Sequence, residues 1–584
     1  MDPSSIRLEG DEDSRRWNNS KKWGMTIVIS LMGFIAPLGS SIVVPGGMFI
    51  DRSFRLNSRT LSVVPVSVYV LGQGVGPFIL APISELKGRQ PVYVIAAFLF
   101  ILFNIGTTVS ENFVALNVLR FFAGAAGSAG PSLGSGSIGD LFEPRERGRA
   151  QSLYGLGPLL GPVLGNVIGG FIAQSDKDWR WLLGTLTILS AAVFVIVVAF
   201  LRETYAPVLL RKKREKIVRE REEREARIER ERIASDPVLA AAKASEPRPS
   251  LGQRIKARAR ALLPNKEARE KIKVAQTRPF RLLFTNPICA IFSTYLGFCY
   301  GIVFLFLTQH PLLFQRREAP DSPSPMKLPT YNWTLGRAGL SYFGLGLGFL
   351  CSALINALLQ DVIYKRLVAS DGRVGWFLFK SKQEITSLME ERERKKTAEA
   401  GHEMDLEKPS NQAVSSTCPP KPPPPPPPSS ASSPPPPPAN TGPTNPTPKK
   451  GRPEYRLPLC LLGMMIMPAG LFCFGWSAET KSHWMLPLLG SFLTGMGTIL
   501  CFQTILVYLV DAFVPYSASA TACAVLVRSI LAAAFPLFAE ELYEDLGYGW
   551  GSSLIAFIAL AGIPVPIILF RYGERLRNRY RFVC

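Results

Sequence analysis

The stretch Gly155-Leu-Gly-Pro-Leu-Leu-Gly-Pro-Val-Leu-Gly-Asn-Val-Ile-Gly-Gly170 decides how this chain is read. Gly157, Gly161, Gly165 and Gly169 recur every fourth residue in it, with Pro158 and Pro162 among them. Four-residue spacing puts the glycines on one face of a helix. In water each would cost about 1 kcal/mol against alanine. In lipid the same stripe lets a second helix approach closely, and neighbouring helices satisfy the backbone groups that proline frees. The segment from Arg149 to Gln174 therefore reads as a membrane-spanning helix built for tight packing.

Working outward, apolar runs near spanning length recur along the 584 residues, and runs of about 18 or more read as membrane helices. Twelve are expected. Six lie near Gly24–Val44, Val64–Ile83, Val92–Val109, Ala115–Gly139, Ala150–Ala173 and Trp181–Leu201, and six near Ile288–Phe306, Leu335–Leu359, Leu457–Trp476, Trp484–Val510, Ser517–Phe538 and Ser552–Phe570. The chain divides accordingly into a polar tail (1–23), a six-helix half (24–201), a charged connector (202–279), helices seven and eight (280–364), a proline-rich connector (365–456), helices nine to twelve (457–570) and a basic tail (571–584). Arg211–Arg232 alternates Arg and Glu and reads as a solvated helix. The second connector carries Pro422–Pro428 and Pro434–Pro438. It reads as extended, coreless chain: a tolerated insertion, or a docking site for a proline-binding domain.

The net charge of +21 does not point to nucleic acid, because +10 of it sits between Arg211 and Lys273. With the N-terminus inside, that connector and the basic tail share the cytoplasmic side, as the positive-inside rule requires. The nine cysteines show no Cys-x-x-Cys spacing and seven fall in or beside apolar runs, so they read as small fillers. Three histidines leave little for a metal or nucleophile cluster, and there is no GxxxxGK[ST] loop for ATP. No catalytic residue, cofactor or metal is expected.

Several motifs carry a family resemblance. Gly76-Pro-Phe-Ile-Leu-Ala-Pro-Ile-Ser-Glu-Leu-Lys-Gly-Arg-Gln-Pro91 is similar to the loop motif GPLxxAPLSExxGRRP, and Asp140-Leu-Phe-Glu-Pro-Arg-Glu-Arg-Gly-Arg149 to the element DxxxxxERGRA. Asp178-Trp-Arg-Trp181, Glu203-Thr-Tyr-Ala-Pro207, Arg278-Pro-Phe280, Tyr508-Leu-Val-Asp511 and Leu526-Val-Arg-Ser529 follow in order. The chain resembles the fungal twelve-span drug:proton antiporters of the major facilitator superfamily. That resemblance implies an all-α membrane protein with twelve helices in two six-helix halves. It also identifies the glycine stretch, with Gly157, Pro158, Gly161, Pro162, Gly165 and Gly169, as similar to the fifth-helix antiporter motif.

The same resemblance assigns roles. Glu85, Gly88, Arg89, Arg147, Arg149 and Asp511 form a charge latch at the cytoplasmic side, with Gly88 making the tight turn. Lys87 and Gln90 depart from the usual pattern. Ionisable groups inside spans are costly, about 2.5–3.5 kcal/mol near the centre. Arg120 matches a fourth-helix arginine linked to proton coupling; its bland reading is an arginine snorkelling to the outer interface. Asp140 matches an acid linked to transport, as proton carrier or latch. Arg528 is the deepest charge, with Gln503 and Tyr508 as possible partners. Asn166, Tyr300, Gln309 and Arg528 are the substrate-cavity candidates, Ser40, Ser41, Gln73 and Tyr295 further lining groups, and His310 a structural residue.

The function expected is alternating access, with proton entry driving export of a small organic drug, toxin or secondary metabolite. The alternatives are polyamine/proton exchange on the same fold and a transporter-like sensor acting through its connectors. The expected setting is the plasma membrane, with both termini cytoplasmic, the protein monomeric, and protons, a small molecule and the bilayer as partners.

Overall fold

The computed structural model describes residues 12–56, 59–143, 146–176, 178–235, 266–315, 328–370, 452–513 and 516–580. The tract Pro422–Pro438 lies outside the described residues, as do positions 236–265 of the charged connector. The chain forms two compact units, Met1–Gln360 with Arg456–Cys584, and Asp361–Tyr455. In the second unit the described residues are the end of one helix and residues 452–455.

The regular structure of the described residues is helical. The first half holds α1 (Asn19–Ser41), short α2 (Gly47–Phe54), α3 (Arg59–Lys87), α4 (Arg89–Thr108), α5 (Phe113–Gly127), α6 (Ala129–Leu141), α7 (Arg147–Asp176) and α8 (Trp179–Phe200). The connector contributes α9 (Ala206–Ser235) and α10 (Lys266–Thr285). The second half holds α11 (Pro287–Phe314), short α12 (Leu335–Leu340), α13 (Tyr342–Ser370), α14 (Pro458–Glu479), α15 (Met485–Ala512), α16 (Ser517–Ala561) and α17 (Pro564–Arg579). The helices overrun the apolar runs at both ends: α13 continues to Ser370 and α17 to Arg579.

Helix starts follow from capping chemistry. Asn112 Oδ1 accepts from Val114 N at 2.9 Å, Asp178 Oδ1 from Arg180 N at 3.0 Å, and Asn286 Oδ1 from Ile288 N and Cys289 N at 3.1 and 3.2 Å. Each satisfies amide donors that a helix N-terminus leaves free. Pro287, in the first position of α11, gives up an N–H that has no helical partner there anyway.

Eleven helical stretches are long and apolar enough to cross a membrane. The last, Ser519–Arg579, has 61 residues, about 90 Å of helix, against a hydrocarbon core of about 30 Å. Gly547 breaks it with φ 73° and ψ 171°, a conformation that suits glycine. Each side of that break is long enough for one crossing.

Each half has its own core. Leu38, Tyr69, Tyr93, Leu133, Leu182 and Leu186 belong to the first, and Phe292, Leu296, Met464, Leu471 and Tyr508 to the second. Val66, Val70 and Val163 of the first half pack into the second core, so α3 and α7 join the halves. Phe98, Leu102, Ile188, Val195 and Leu358 point outward and exposed. On a multi-pass membrane protein this apolar skin meets lipid tails.

Candidate functional site

At the turn between α3 and α4, Gly88 has φ 107°, and a Cβ there would collide with the Glu203 carboxylate. Glu203 caps α4: its carboxylate accepts from Arg89 N at 2.9 Å and Gln90 N at 3.2 Å, and also from Thr204 N and Tyr205 N. Negative charge at a helix N-terminus meets both free amides and the positive end of the helix dipole. Arg89 then reaches Asp140, Nε to Oδ2 3.4 Å, donates to Ser84 Oγ at 2.8 Å, and lies 5.2 Å over the Tyr205 ring. Ser14 Oγ donates to the backbone carbonyls of Asp140 and Thr204, both at 3.0 Å. One knot thus ties the N-terminal segment to the ends of α3, α4, α6 and α8.

The structure brings only part of the expected latch together. Glu85 and Arg149 are exposed and make no ion pair among the described residues. The side chain of Arg147 lies outside the described residues. Asp511 pairs with Arg456 at 3.1 Å, within the second half. The acid that binds the α3–α4 turn is Glu203, which the loop motif alone does not reveal; its signal was the Glu203-Thr-Tyr-Ala-Pro207 element. Glu85 is exposed, and the carboxylate at the α3–α4 turn is that of Glu203. Gly88→Ala must adopt a disfavoured φ and displace that carboxylate, at a cost of about 1–3 kcal/mol. It is expected to lower the thermal midpoint of the purified protein by several degrees, and Glu203→Gln to lower it less.

The glycine stripe faces α1. A Cβ on Gly157 would lie 2.7 Å from Ser30 O, and one on Gly161 2.8 Å from Phe34 O; Cβ atoms on Gly165 and Gly169 would press on Leu38 O and Ile42 O. Pro158 packs beside Gly33, and Pro162 O accepts from Asn166 Nδ2 at 3.0 Å. Further along α7, Gly170 stands against Leu335 O and Gly339 of α12, and Val163 against Gly346 of α13. One helix therefore grips its own half with its glycines and touches the other half elsewhere.

Arg120 is wholly buried. Its side chain donates from NH2 to Gly39 O at 3.0 Å and from Nε to Pro65 O at 3.3 Å, and stacks 4.3 Å over the Tyr69 ring. Tyr69 OH in turn donates to Ala36 O at 2.7 Å. The snorkelling alternative does not hold, because the guanidinium turns inward onto the C-terminal end of α1, where the helix dipole favours a cation. Arg120 and Asp140 belong to separate helices, α5 and α6, and have separate partners.

Between the halves, Gly74 of α3 sits against Ser529 of α16. Beside Ser529, Arg528 lies 4.5 Å over the Tyr300 ring and 5.6 Å from Phe502, and those two rings stack at 5.8 Å. The Tyr300 and Phe502 rings flank Arg528, and among the described residues it makes no hydrogen bond to Gln503. Arg528 Nε, Ser529 Oγ and Gln73 Nε2 have no hydrogen-bond partner. Asn166 and Gln309 are fully enclosed, at 0 % and 1 % exposure, with Asn166 Oδ1 and both Gln309 amide atoms unpartnered. In this conformation they line no open space. Ser40 and Ser41 bond carbonyls of their own helix, and Tyr295 is buried with an unpartnered hydroxyl. His310 is packed among rings, stacked on Phe474 at 5.5 Å, with Nδ1 3.1 Å from Ser341 Oγ.

On the face opposite the Arg89 knot, the halves are tied directly. Gly336 N donates to Gln174 Oε1 at 2.9 Å, and Gln315 Nε2 to Met48 Sδ at 3.4 Å. Among the described residues no group of three or more His, Cys, Asp or Glu is placed to hold a metal ion.

Two six-helix halves meeting at a central seam define a membrane transporter, and sequence comparison agrees. The Major Facilitator Superfamily profile matches residues 29–369. The chain is 33 % identical over 580 residues to the MFS transporter cpaT of Aspergillus oryzae, covering 99 % of this chain and 92 % of that protein. It is 32 % identical to the efflux pump radE of Floropilus chiversii, covering 100 % and 86 %. Among solved structures, the xylose transporter XylE from E. coli superposes with a TM-score of 0.55 at 12 % identity, covering 94 % of this chain and 96 % of that one. This chain belongs to the major facilitator superfamily. It is a multi-pass membrane transporter that acts on small molecules, and not an enzyme.

Proposed function

We propose that this transporter exports small, partly apolar organic compounds in exchange for protons, by alternating access. The observation that carries the reading is the seam between the halves. Tyr300 and Phe502 offer an aromatic wall, while Arg528 and Ser529 hold polar atoms without partners among the described residues. Export is supported by relatives that include an efflux pump. Rocking would break the Gln174–Gly336 and Gln315–Met48 bonds on one face, while the Arg89–Asp140–Glu203 knot moves as part of one half.

Arg120 and Asp140 are the proton-coupling residues of this reading, and the plasma membrane its setting, with both termini cytoplasmic. Polyamine exchange has less support. A cationic substrate calls for acids near mid-membrane, whereas Asp140 and Asp511 stand at the ends of α6 and α15 and Glu540 lies seven residues before the Gly547 break of α16.

The test is efflux of a compound panel from cells lacking their own pumps, with wild type, Arg120→Ala and Asp140→Asn at matched surface expression. Wild-type efflux is expected to depend on the proton gradient and to fall at least tenfold in both variants. Efflux that survives collapse of the gradient rejects proton coupling.

A further inference from the structure

We propose that Arg528 is the anion-recognising residue of the substrate site, and that its ligand is a flat organic carboxylate. The inference rests on the transport reading above and narrows its substrate class.

Among the described residues, Arg120 and Arg528 lie within spans, and their surroundings differ. Arg120 has no exposed surface; its NH2 and Nε meet the Gly39 and Pro65 carbonyls and its face the Tyr69 ring, while NH1 has no hydrogen-bond partner. No ligand can reach it. Arg528 is partly exposed, and no carboxylate pairs with it among the described residues. Among the described residues its Nε has no hydrogen-bond partner, and its guanidinium lies over the faces of Tyr300 and Phe502.

A cation kept in an apolar span without a counter-charge calls for an anion from elsewhere. The guanidinium fork matches a carboxylate through two parallel N–H···O bonds. The stacked pair Tyr300 and Phe502 suits a flat apolar body lying offset against the rings.

The position fits a ligand carried between the halves. Arg528 precedes Ser529, which abuts Gly74 of the first half. Ser529 Oγ, buried and unpartnered, is a further donor at the seam. A cationic ligand would be repelled by the same arrangement.

The experiment is calorimetric titration of the full-length protein in nanodiscs of neutral lipid, with 2-naphthoate and its uncharged isostere 2-naphthamide. Wild type is expected to bind naphthoate at least tenfold more tightly than naphthamide. Arg528→Gln is expected to cut that preference below threefold while keeping its affinity for naphthamide. Should Arg528→Gln fail to fold, Arg528→Lys decides, since loss of the fork should reduce the preference at least threefold. Equal binding of both compounds to wild type, no naphthoate binding at millimolar concentration, or a preference unchanged in the variants would overturn the proposal. Carboxylate preference without gradient-driven efflux would keep this site and reject the export reading. Efflux without carboxylate preference would do the reverse.

Discussion

Alanine at both Gly161 and Gly165 is expected to remove most of the folded protein recovered from the membrane. A Cβ on Gly161 would stand 2.8 Å from Phe34 O and 2.9 Å from Leu38 N, and one on Gly165 2.6 Å from Leu38 O. These are backbone atoms of α1, which cannot rotate aside as a side chain would. The helix must move as a body, and α1 also carries Gly39 and Ala36, the carbonyls that hold Arg120 and Tyr69. Overpacking of this kind costs about 1–3 kcal/mol per site, and two contacts on one helix pair act in the same direction. Gly155 supplies the control, because a Cβ there meets nothing within 4 Å. Gly155→Ala should be neutral or stabilising by up to about 1 kcal/mol, through helix propensity alone. The measurement is the monodisperse fraction after extraction, with the thermal midpoint. A double variant that behaves like Gly155→Ala would show that close approach of α7 to α1 is not what the glycines provide.

Loss of Arg120 comes second in expected effect. Arg120→Ala deletes hydrogen bonds from a charged donor to two carbonyls, each worth about 1.5–3 kcal/mol. Gly39 is among the last four residues of α1, so its carbonyl has no partner further along the helix. Arg120→Lys keeps the charge at the helix end but has no fork to span Gly39 and Pro65. The thermal midpoint is therefore expected to fall in the order wild type, Arg120→Lys, Arg120→Ala. Transport in Arg120→Ala should fall at least tenfold at matched expression. If Arg120→Ala keeps both its midpoint and its transport, the arginine neither props α1 nor takes part in coupling.

Much of the architecture was legible because lipid imposes simple rules on a chain. A spanning segment must be long, apolar and helical, so each crossing leaves a run that can be found without knowing its neighbours. Gly88 and the glycine stripe were legible for a related reason, since a missing side chain is itself the functional feature. The site was less so. Glu203 lies 114 residues from Arg89, and no local pattern says that it caps α4. Tyr69 beneath Arg120 and Phe502 beside Arg528 are aromatic residues in apolar runs, like many others that only pack. Asn166 and Gln309 carry the polarity expected of cavity groups, yet both are enclosed. Which way a polar side chain points depends on the helix it faces, and that is not written in its own segment.

The sequence by itself determined the crossings, the division into halves, the family and the residues able to carry charge within the membrane. These depend on composition over one span, or on motifs a few residues long. Tertiary structure alone decided which arginine is wholly buried and which stays partly exposed, which acid holds the α3–α4 turn, and where Gln174 and Gln315 bond across the halves. Those outcomes turn on contacts of a few ångströms between helices far apart in the chain. A hydrogen bond or a ring contact is gained or lost within such distances, and packing against a partner helix is what sets them.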